Sequence, residues 1–141
     1  MTETPSSTQP CLTLAIDNGI ALITMDRPHA MNAFDRTQRE LFQSALLSAD
    51  AHAEVRAIVI TGAGKAFCAG QDQHESAAMD AAGSAARIDS YMALYEVFRA
   101  LGKPVIARVN GVAAGAGLQI ALMSDLRIAS TNASFTQSFL K

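Results

Sequence analysis

Continuous apolar runs alternate along the chain with segments in which apolar residues recur every three or four positions, which predicts a mixture of strands and helices. The first two runs, 11–16 and 20–25, are short and β-prone. Asp17-Asn18-Gly19 lies between them and predicts a hairpin, because Asn and Gly accept a positive φ. Residues 1–10 are polar and rich in Thr, Ser and Pro, so we expect a flexible N-terminal tail.

Later runs at 57–61, 105–109 and 126–129 predict further strands. The run at 57–61 is short, continuous and apolar, which favours a strand buried on both faces of a parallel sheet, and 105–109 predicts the next buried strand. Strands that alternate with helices in this order are typical of α/β crossovers. We therefore expect one α/β domain over residues 11–141, with no internal linker.

Helical spacing predicts one helix over 35–50, with Asp35 as its N-cap and Gln38 in the capping-box position, and another over 115–124. The segment 73–101 divides into two halves. Its second half has helical spacing, whereas its alanine-rich first half favours a mobile loop.

The end of the chain carries an apolar pattern, Ala133, Phe135 and Phe139, that stops at Lys141 without a cap or a polar tail. A short final helix or strand would account for it. We favour the alternative that the chain is an incomplete, N-terminal portion of a larger domain.

Charge and composition exclude several classes of function. The net charge is −2 and the basic residues are scattered, which argues against nucleic-acid binding. No run of apolar residues is long enough to predict a membrane span. The two cysteines, Cys11 and Cys68, form no disulfide framework, so we expect a reducing cytoplasm, and the Cys and His positions show no metal-ligand spacing.

Two loops of small residues carry the candidate chemistry. Phe67–Asp72 follows the strand at 57–61, and Asn110–Gly117 follows the strand at 105–109. Carboxyl ends of parallel strands meet at one edge of a sheet, where ligands usually bind. The second loop also opens a helix, so its amides are unpaired and lie at the positive end of the helix dipole. Two such loops predict a site that holds a negatively charged oxygen.

Five ordered segments carry a family resemblance: Arg27-Pro28 with Met31-Asn32-Ala33, Ala66–Asp72, Lys103–Ala107, Asn110–Gly117 and Ser124–Ala129. In these segments the chain resembles the crotonase, or enoyl-CoA hydratase/isomerase, superfamily, and it corresponds to the N-terminal half of a family domain. The resemblance implies a β-β-α spiral fold and a place in fatty acid metabolism. It implies an acyl-CoA substrate that contains coenzyme A, with no separate cofactor, and a homotrimer or hexamer if the full domain is present.

The resemblance also implies roles for single residues. The backbone amides of Gln71 and Ala116 would form an oxyanion hole that stabilises the enolate of a thioester. The residues that would bind the substrate or its CoA part are Ala30, Asn32, Ala69, Asp72, Gln73, Gly115 and Gly117. Lys65 could contact a phosphate on charge grounds, although a solvated loop lysine is the simpler interpretation.

Gln119 departs from the family pattern. Hydratases of the family use two glutamates around a water; the first would stand at Gln119, and the second would fall beyond Lys141. An amide can orient water but cannot act as a general base. Hydration and double-bond isomerisation therefore both stay open. So do two alternatives, a non-catalytic acyl-CoA-binding protein and an inactive fragment of a family enzyme.

Five other polar side chains are weaker candidates. Glu75 and Asp80 are more simply solvated charges than catalytic carboxylates, and His74 is more simply an exposed side chain. Cys68 has no basic partner in sequence, so we expect a packed small residue and not a nucleophile. Asp125 stands at a family position that is usually structural.

Overall fold

The computed structural model describes residues 10–137, in which the chain forms two sheets and four α-helices. Residues 1–9 of the predicted tail, together with Phe139 and Lys141, lie outside the described residues. The strands in chain order are β1 Leu12–Asp17, β2 Ile20–Met25, β3 Ala57–Gly62, β4 Ala66–Cys68, β5 Val105–Val109, β6 Val112–Ala114, β7 Leu126–Ala129 and β8 Ser134–Thr136. The helices are α1 Arg36–Ala51, α2 Gln73–Ala77, α3 Ala81–Ala100 and α4 Ala116–Met123.

The larger sheet has the order β1-β2-β3-β5-β7, with β1 and β2 antiparallel and every other pair parallel. The predicted hairpin is confirmed: Asn18 and Gly19 both have a positive φ, 49° and 81°. A turn with two such residues matches the right-handed twist of the strands it joins.

The smaller sheet has the order β4-β6-β8, with all strands parallel. The chain thus winds as a spiral in which β3 and β4, then β5 and β6, then β7 and β8 add one strand to each sheet. Both small-residue loops follow parallel strands of one sheet, as predicted, but each contains a further short strand, β4 or β6, that was not predicted. Strands of three residues show no periodicity that a sequence pattern could reveal, so β4 and β6 were hidden within the loops.

The buried face of the larger sheet packs against α1. Ile58 and Ile60 are fully buried, whereas Val59 and Ile106, on the other face, are half-buried and Arg108 is exposed. The expectation of burial on both faces is therefore wrong within the described residues, although the parallel pairing is confirmed.

Helix α1 confirms the helix expected over 35–50. The carboxylate of Asp35 accepts from the backbone N–H of Gln38 at 2.8 Å, which is the N-cap bond predicted from the sequence. Phe42 on this helix lies between Phe34 and Phe98, with ring centroids 5.5 and 6.3 Å away. These contacts join α1, α3 and the chain before α1 into one core.

The alanine-rich segment expected to be a mobile loop is helical. Helix α2 covers Gln73–Ala77 and α3 begins at Ala81, with Asp80 accepting from the backbone N–H of Gly83 at 2.8 Å. The prediction is wrong because Ala is the best helix former, so a capped run of alanines needs no apolar stripe to be helical. Among the described helices, none is long and apolar enough to cross a membrane.

Candidate active site

The first loop leaves β4 at Ala69 and turns at Gly70, whose φ is +101°. Phe34 holds the backbone on both sides of Gln71. The N–H of Phe34 donates to the carbonyl of Gly70 at 2.7 Å, and the N–H of Asp72 donates to the carbonyl of Phe34 at 2.9 Å. Within the described part of the chain, the N–H of Gln71 itself has no acceptor. The loop therefore presents one free backbone donor in a fixed position.

The second loop passes from β6 into α4 through Gly115, which has a φ of +53° and a ψ of −120°. The N–H of Gly115 donates to the carbonyl of Thr136 at 3.2 Å. Ala116 is the first residue of α4, and its N–H meets no acceptor among residues 10–137. Such a donor is expected in the first turn of a helix, where the dipole adds positive potential.

The two loops touch through their backbones. A Cβ atom added at Gly70 would lie 2.8 Å from the carbonyl oxygen of Ala114 and 3.5 Å from the amide nitrogen of Ala116. One added at Gly117 would lie 2.1 Å from the carbonyl oxygen of Cys68. The small residues at these positions are therefore what allows the two free donors to approach each other.

Two pockets meet at these loops. The helix pocket, of about 610 Å³, lies between the loops and one face of α3 formed by Arg87, Ile88, Tyr91, Met92 and Tyr95. The loop pocket, of about 720 Å³, lies on the other side, against the segments 27–35 and 72–75. Ala69, Gln71 and Gln73 line both pockets, so the free donor of Gln71 is at their junction.

Asp72 fixes the wall of the loop pocket. Its carboxylate accepts from the backbone N–H groups of His74 at 2.9 Å and Glu75 at 3.0 Å, and it pairs with the guanidinium of Arg27 at 3.1 Å. These interactions, the bond from Glu75 first, hold the pKa of Asp72 below its ordinary value. The buried carboxylate is thus an N-cap and an ion-pair partner that anchors the loop to the segment before α1.

The structure brings most of the predicted substrate-binding residues to the two pockets. Ala30, Ala69, Asp72 and Gln73 line the loop pocket, and Gly115 lines the helix pocket together with Ala116 and Gln71.

Three predicted site residues are not on these walls. Asn32 is fully buried, donates to the carbonyls of Ala63 and Ala66 at 2.9 Å each, and accepts from the N–H of Arg27 at 2.8 Å. Gly117 packs against Cys68. Gln119 is half-buried on α4 and lines neither pocket. Its role, like the other roles implied by the resemblance, stays a prediction.

The weaker candidates have structural roles or lie on the surface. Glu75 is not a solvated charge: it pairs at 2.8 Å with the buried guanidinium of Arg39. Asp80 caps α3 and Asp125 accepts from the N–H of Val105 at 2.8 Å. Burial raises the pKa of Cys68 to about 12, which confirms a packed thiol and excludes a ready nucleophile. His74 and Lys65 are exposed; of these two residues, His74 lines the loop pocket and Lys65 does not.

Sequence reasoning missed the face of α3 that lines the helix pocket. The periodicity of this segment indicates a single apolar stripe. The structure divides this stripe, because Leu94 and Phe98 enter the core whereas Ile88 and Met92 are 60% and 54% exposed. The sequence did carry one signal. The apolar residues of this helix cover two of its faces, whereas packing against a core requires only one apolar face.

The chain is similar to known proteins in both sequence and fold. A family model described as enoyl-CoA hydratase/isomerase matches residues 15–141. A probable enoyl-CoA hydratase of Rhodobacter capsulatus is 42% identical over 126 residues, which are 89% of this chain and 48% of the relative. The 1,2-epoxyphenylacetyl-CoA isomerase of Escherichia coli K12 is 36% identical over 131 residues, which are 89% of this chain and 50% of the relative.

Among solved structures, the enoyl-CoA hydratase of Bacillus anthracis superposes with a TM-score of 0.87 at 30% identity, covering 92% of this chain and 51% of that one. This match confirms the crotonase type of fold. The chain spans about half the length of the relatives it matches.

Proposed function

The chain belongs to the enoyl-CoA hydratase/isomerase family, and we propose that it acts on an acyl-CoA thioester whose carbonyl oxygen accepts hydrogen bonds from the backbone N–H groups of Gln71 and Ala116. The observation that carries the proposal is the pair of unpaired donors on two touching loops. Donors of this kind stabilise negative charge that develops on the oxygen.

The two pockets support a direction for the substrate. A thioester held at their junction would place the CoA part in the loop pocket, which has a polar wall, and the acyl group in the helix pocket, where α3 presents apolar side chains. The carbonyl oxygen lies between these two parts of the molecule, as Gln71 lies between the two pockets.

The proposed chemistry is stabilisation of an enolate. When a proton leaves the carbon next to the thioester carbonyl, or a nucleophile adds to a conjugated enoyl group, negative charge moves to the carbonyl oxygen. Each backbone donor is worth on the order of 3 kcal/mol in such a transition state. Among the described residues, no carboxylate or imidazole lines the helix pocket. The proposal therefore covers both hydration and isomerisation, the two activities named for the relatives.

The test is Ala116→Pro, which removes one donor N–H. Proline is tolerated at the first position of a helix, so α4 should persist. Ala81→Pro is the matched control, because Ala81 is the first residue of α3 and its N–H is likewise unpaired among the described residues. We expect Ala116→Pro to lower turnover of an enoyl-CoA by about a hundredfold or more, and Ala81→Pro to leave it unchanged.

Thermal melts of both variants establish that they are folded. A folded Ala116→Pro protein with turnover close to the parent would contradict the oxyanion role. Calorimetry with an acyl-CoA completes the test. Binding by the parent chain without turnover would favour the alternative function of a non-catalytic acyl-CoA-binding protein.

A further inference from the structure

Arg87 is the one charged side chain on the α3 wall of the helix pocket; the rest of that wall is Ile88, Tyr91, Met92 and Tyr95. Arg87 is half-buried, so its guanidinium is partly removed from water. A guanidinium carries five N–H donors and stays protonated, which makes its charge permanent in this pocket.

The groups that Arg87 hydrogen-bonds are neutral, although Arg87 also lines a smaller cavity together with Arg39 and Glu75. Its Nη1 atom lies 3.2 Å from the sulfur of Met79 and 3.4 Å from the hydroxyl of Ser76. With the amide of Gln71 oriented to satisfy its neighbours, the amide oxygen accepts from all three guanidinium nitrogens of Arg87, Nη1 at 2.5 Å, Nε at 3.1 Å and Nη2 at 3.3 Å. Within residues 10–137 no carboxylate lies within ion-pair distance of Arg87.

The arginines nearest to the site differ from Arg87 in this respect. Arg27 pairs with Asp72 at 3.1 Å and Arg39 pairs with Glu75 at 2.8 Å. The two carboxylates close to the loops are thus already committed to other cations. Among residues 10–137, Arg87 is left as a positive charge without a carboxylate partner on the wall of the helix pocket, and an anionic ligand group would compensate it.

We propose that Arg87 is a specificity-determining residue that selects acyl-CoA substrates whose acyl group carries a second carboxylate. The inference rests on the proposed function, which places the thioester at the junction of the pockets and the acyl group along α3. A carboxylate on the far part of the acyl group would then meet the guanidinium, which can bind it through two parallel hydrogen bonds. Arg87 does not line the loop pocket, so the phosphates of CoA are not its expected partner.

Calorimetry of the full chain with two saturated thioesters tests the proposal without requiring turnover. Glutaryl-CoA and pentanoyl-CoA have the same chain length and differ in the terminal carboxylate, and free CoA reports the binding of the common part. We expect the parent chain to bind glutaryl-CoA more tightly than pentanoyl-CoA. Arg87→Met should weaken binding of glutaryl-CoA by about tenfold or more and leave pentanoyl-CoA little changed, since charge-assisted hydrogen bonds are lost only with the first.

Two further variants make the result specific. Arg87→Lys keeps the charge but loses the two-pronged geometry, so it should retain part of the preference. Arg99→Met removes the same charge from the exposed end of the same helix and should change neither affinity. Thermal melts show whether each protein is folded.

Three results would overturn the proposal. The parent chain could bind both thioesters equally. Arg87→Met could weaken both by the same factor, in which case Arg87 acts by holding Gln71 in place. Glutaryl-CoA could bind no better than free CoA while pentanoyl-CoA binds more tightly. Failure of both thioesters to bind better than free CoA would instead contradict the proposed function, and the inference with it.

Discussion

The two loops that form the floor of the helix pocket and the α3 face that forms its wall differ in burial and in the groups they present. In the floor, Gly70 and Ala116 are buried, and the donors proposed to bind the substrate are backbone amides. In the wall, Ile88 and Met92 are mostly exposed and the groups that face the pocket are side chains.

This difference separates two kinds of constraint. A backbone donor functions with any side chain, but its position depends on how closely the two loops can approach each other. The residues of the floor are therefore limited to small ones. Ile88 and Met92 on the wall pack little against the described fold, so their identity is limited by what enters the pocket. Substitutions in the floor should therefore alter stability, whereas substitutions in the wall should alter binding.

Gly117→Ala should show the largest effect, because the chain beneath the floor has no room for one added carbon. The new Cβ would lie 2.1 Å from the carbonyl oxygen of Cys68, and a backbone atom has no alternative rotamer. We expect a loss of at least ~2 kcal/mol in the free energy of unfolding, measured by urea denaturation. The control is Gly102→Ala, whose Cβ would meet its nearest neighbour, Asp50, at 3.9 Å. Equal stability of the two variants would show that the floor is not close-packed.

The same contrast explains which parts of the fold could be predicted from the sequence. The hairpin at Asn18-Gly19 and the cap at Asp35 depend on local chemistry and were predicted. Strands β4 and β6 depend on pairing with each other across a long separation, so no local pattern reveals them. The floor of the site could be predicted because two loops of small residues follow strands in the sequence. These loops contain both free donors.

The wall was not visible in advance. Ile88, Tyr91 and Tyr95 have the periodicity of a core helix, and only the structure shows that they face a pocket. The lack of a carboxylate partner for Arg87 among the described residues was equally hidden, because Asp72 and Glu75 pair with Arg27 and Arg39, and these pairs join residues far apart in the chain.

Asp72→Asn tests the charge that anchors the floor and should have an intermediate effect. Asn is as good an N-cap as Asp, so the loss is that of the pair with Arg27, about 1–2 kcal/mol at neutral pH. The native pKa of Asp72 is lowered, so its stabilising effect is present above the unfolded value of about 3.9 and is lost as the pH falls through the native value.

Urea denaturation of parent and Asp72→Asn proteins at a series of pH values checks this sign. The difference in unfolding free energy should be constant near neutral pH and should shrink below about pH 4. A difference that stayed constant down to the acid transition would show that the charge of Asp72 contributes nothing and that the floor is held by its caps alone.

Ile88→Ala should show the smallest effect on stability, because it removes a wall side chain that is 60% exposed. We expect a change within about 0.5 kcal/mol, since the small amount of packing that the side chain provides is offset by the higher helix propensity of Ala. Leu94→Ala on the same helix is the matched control. Leu94 is fully buried, and its truncation should destabilise the protein by about 2–5 kcal/mol.

Binding then distinguishes a pocket wall from an ordinary surface. If Ile88 contacts the acyl group, Ile88→Ala should weaken binding of pentanoyl-CoA severalfold in calorimetry while binding of free CoA is unchanged, because only the acyl group loses its apolar neighbour. A stability loss as large as that of Leu94→Ala would place Ile88 in the core instead. Unchanged affinity would mean that the acyl group does not reach this turn of α3, and the division between a floor that fixes stability and a wall that fixes binding would then fail at Ile88.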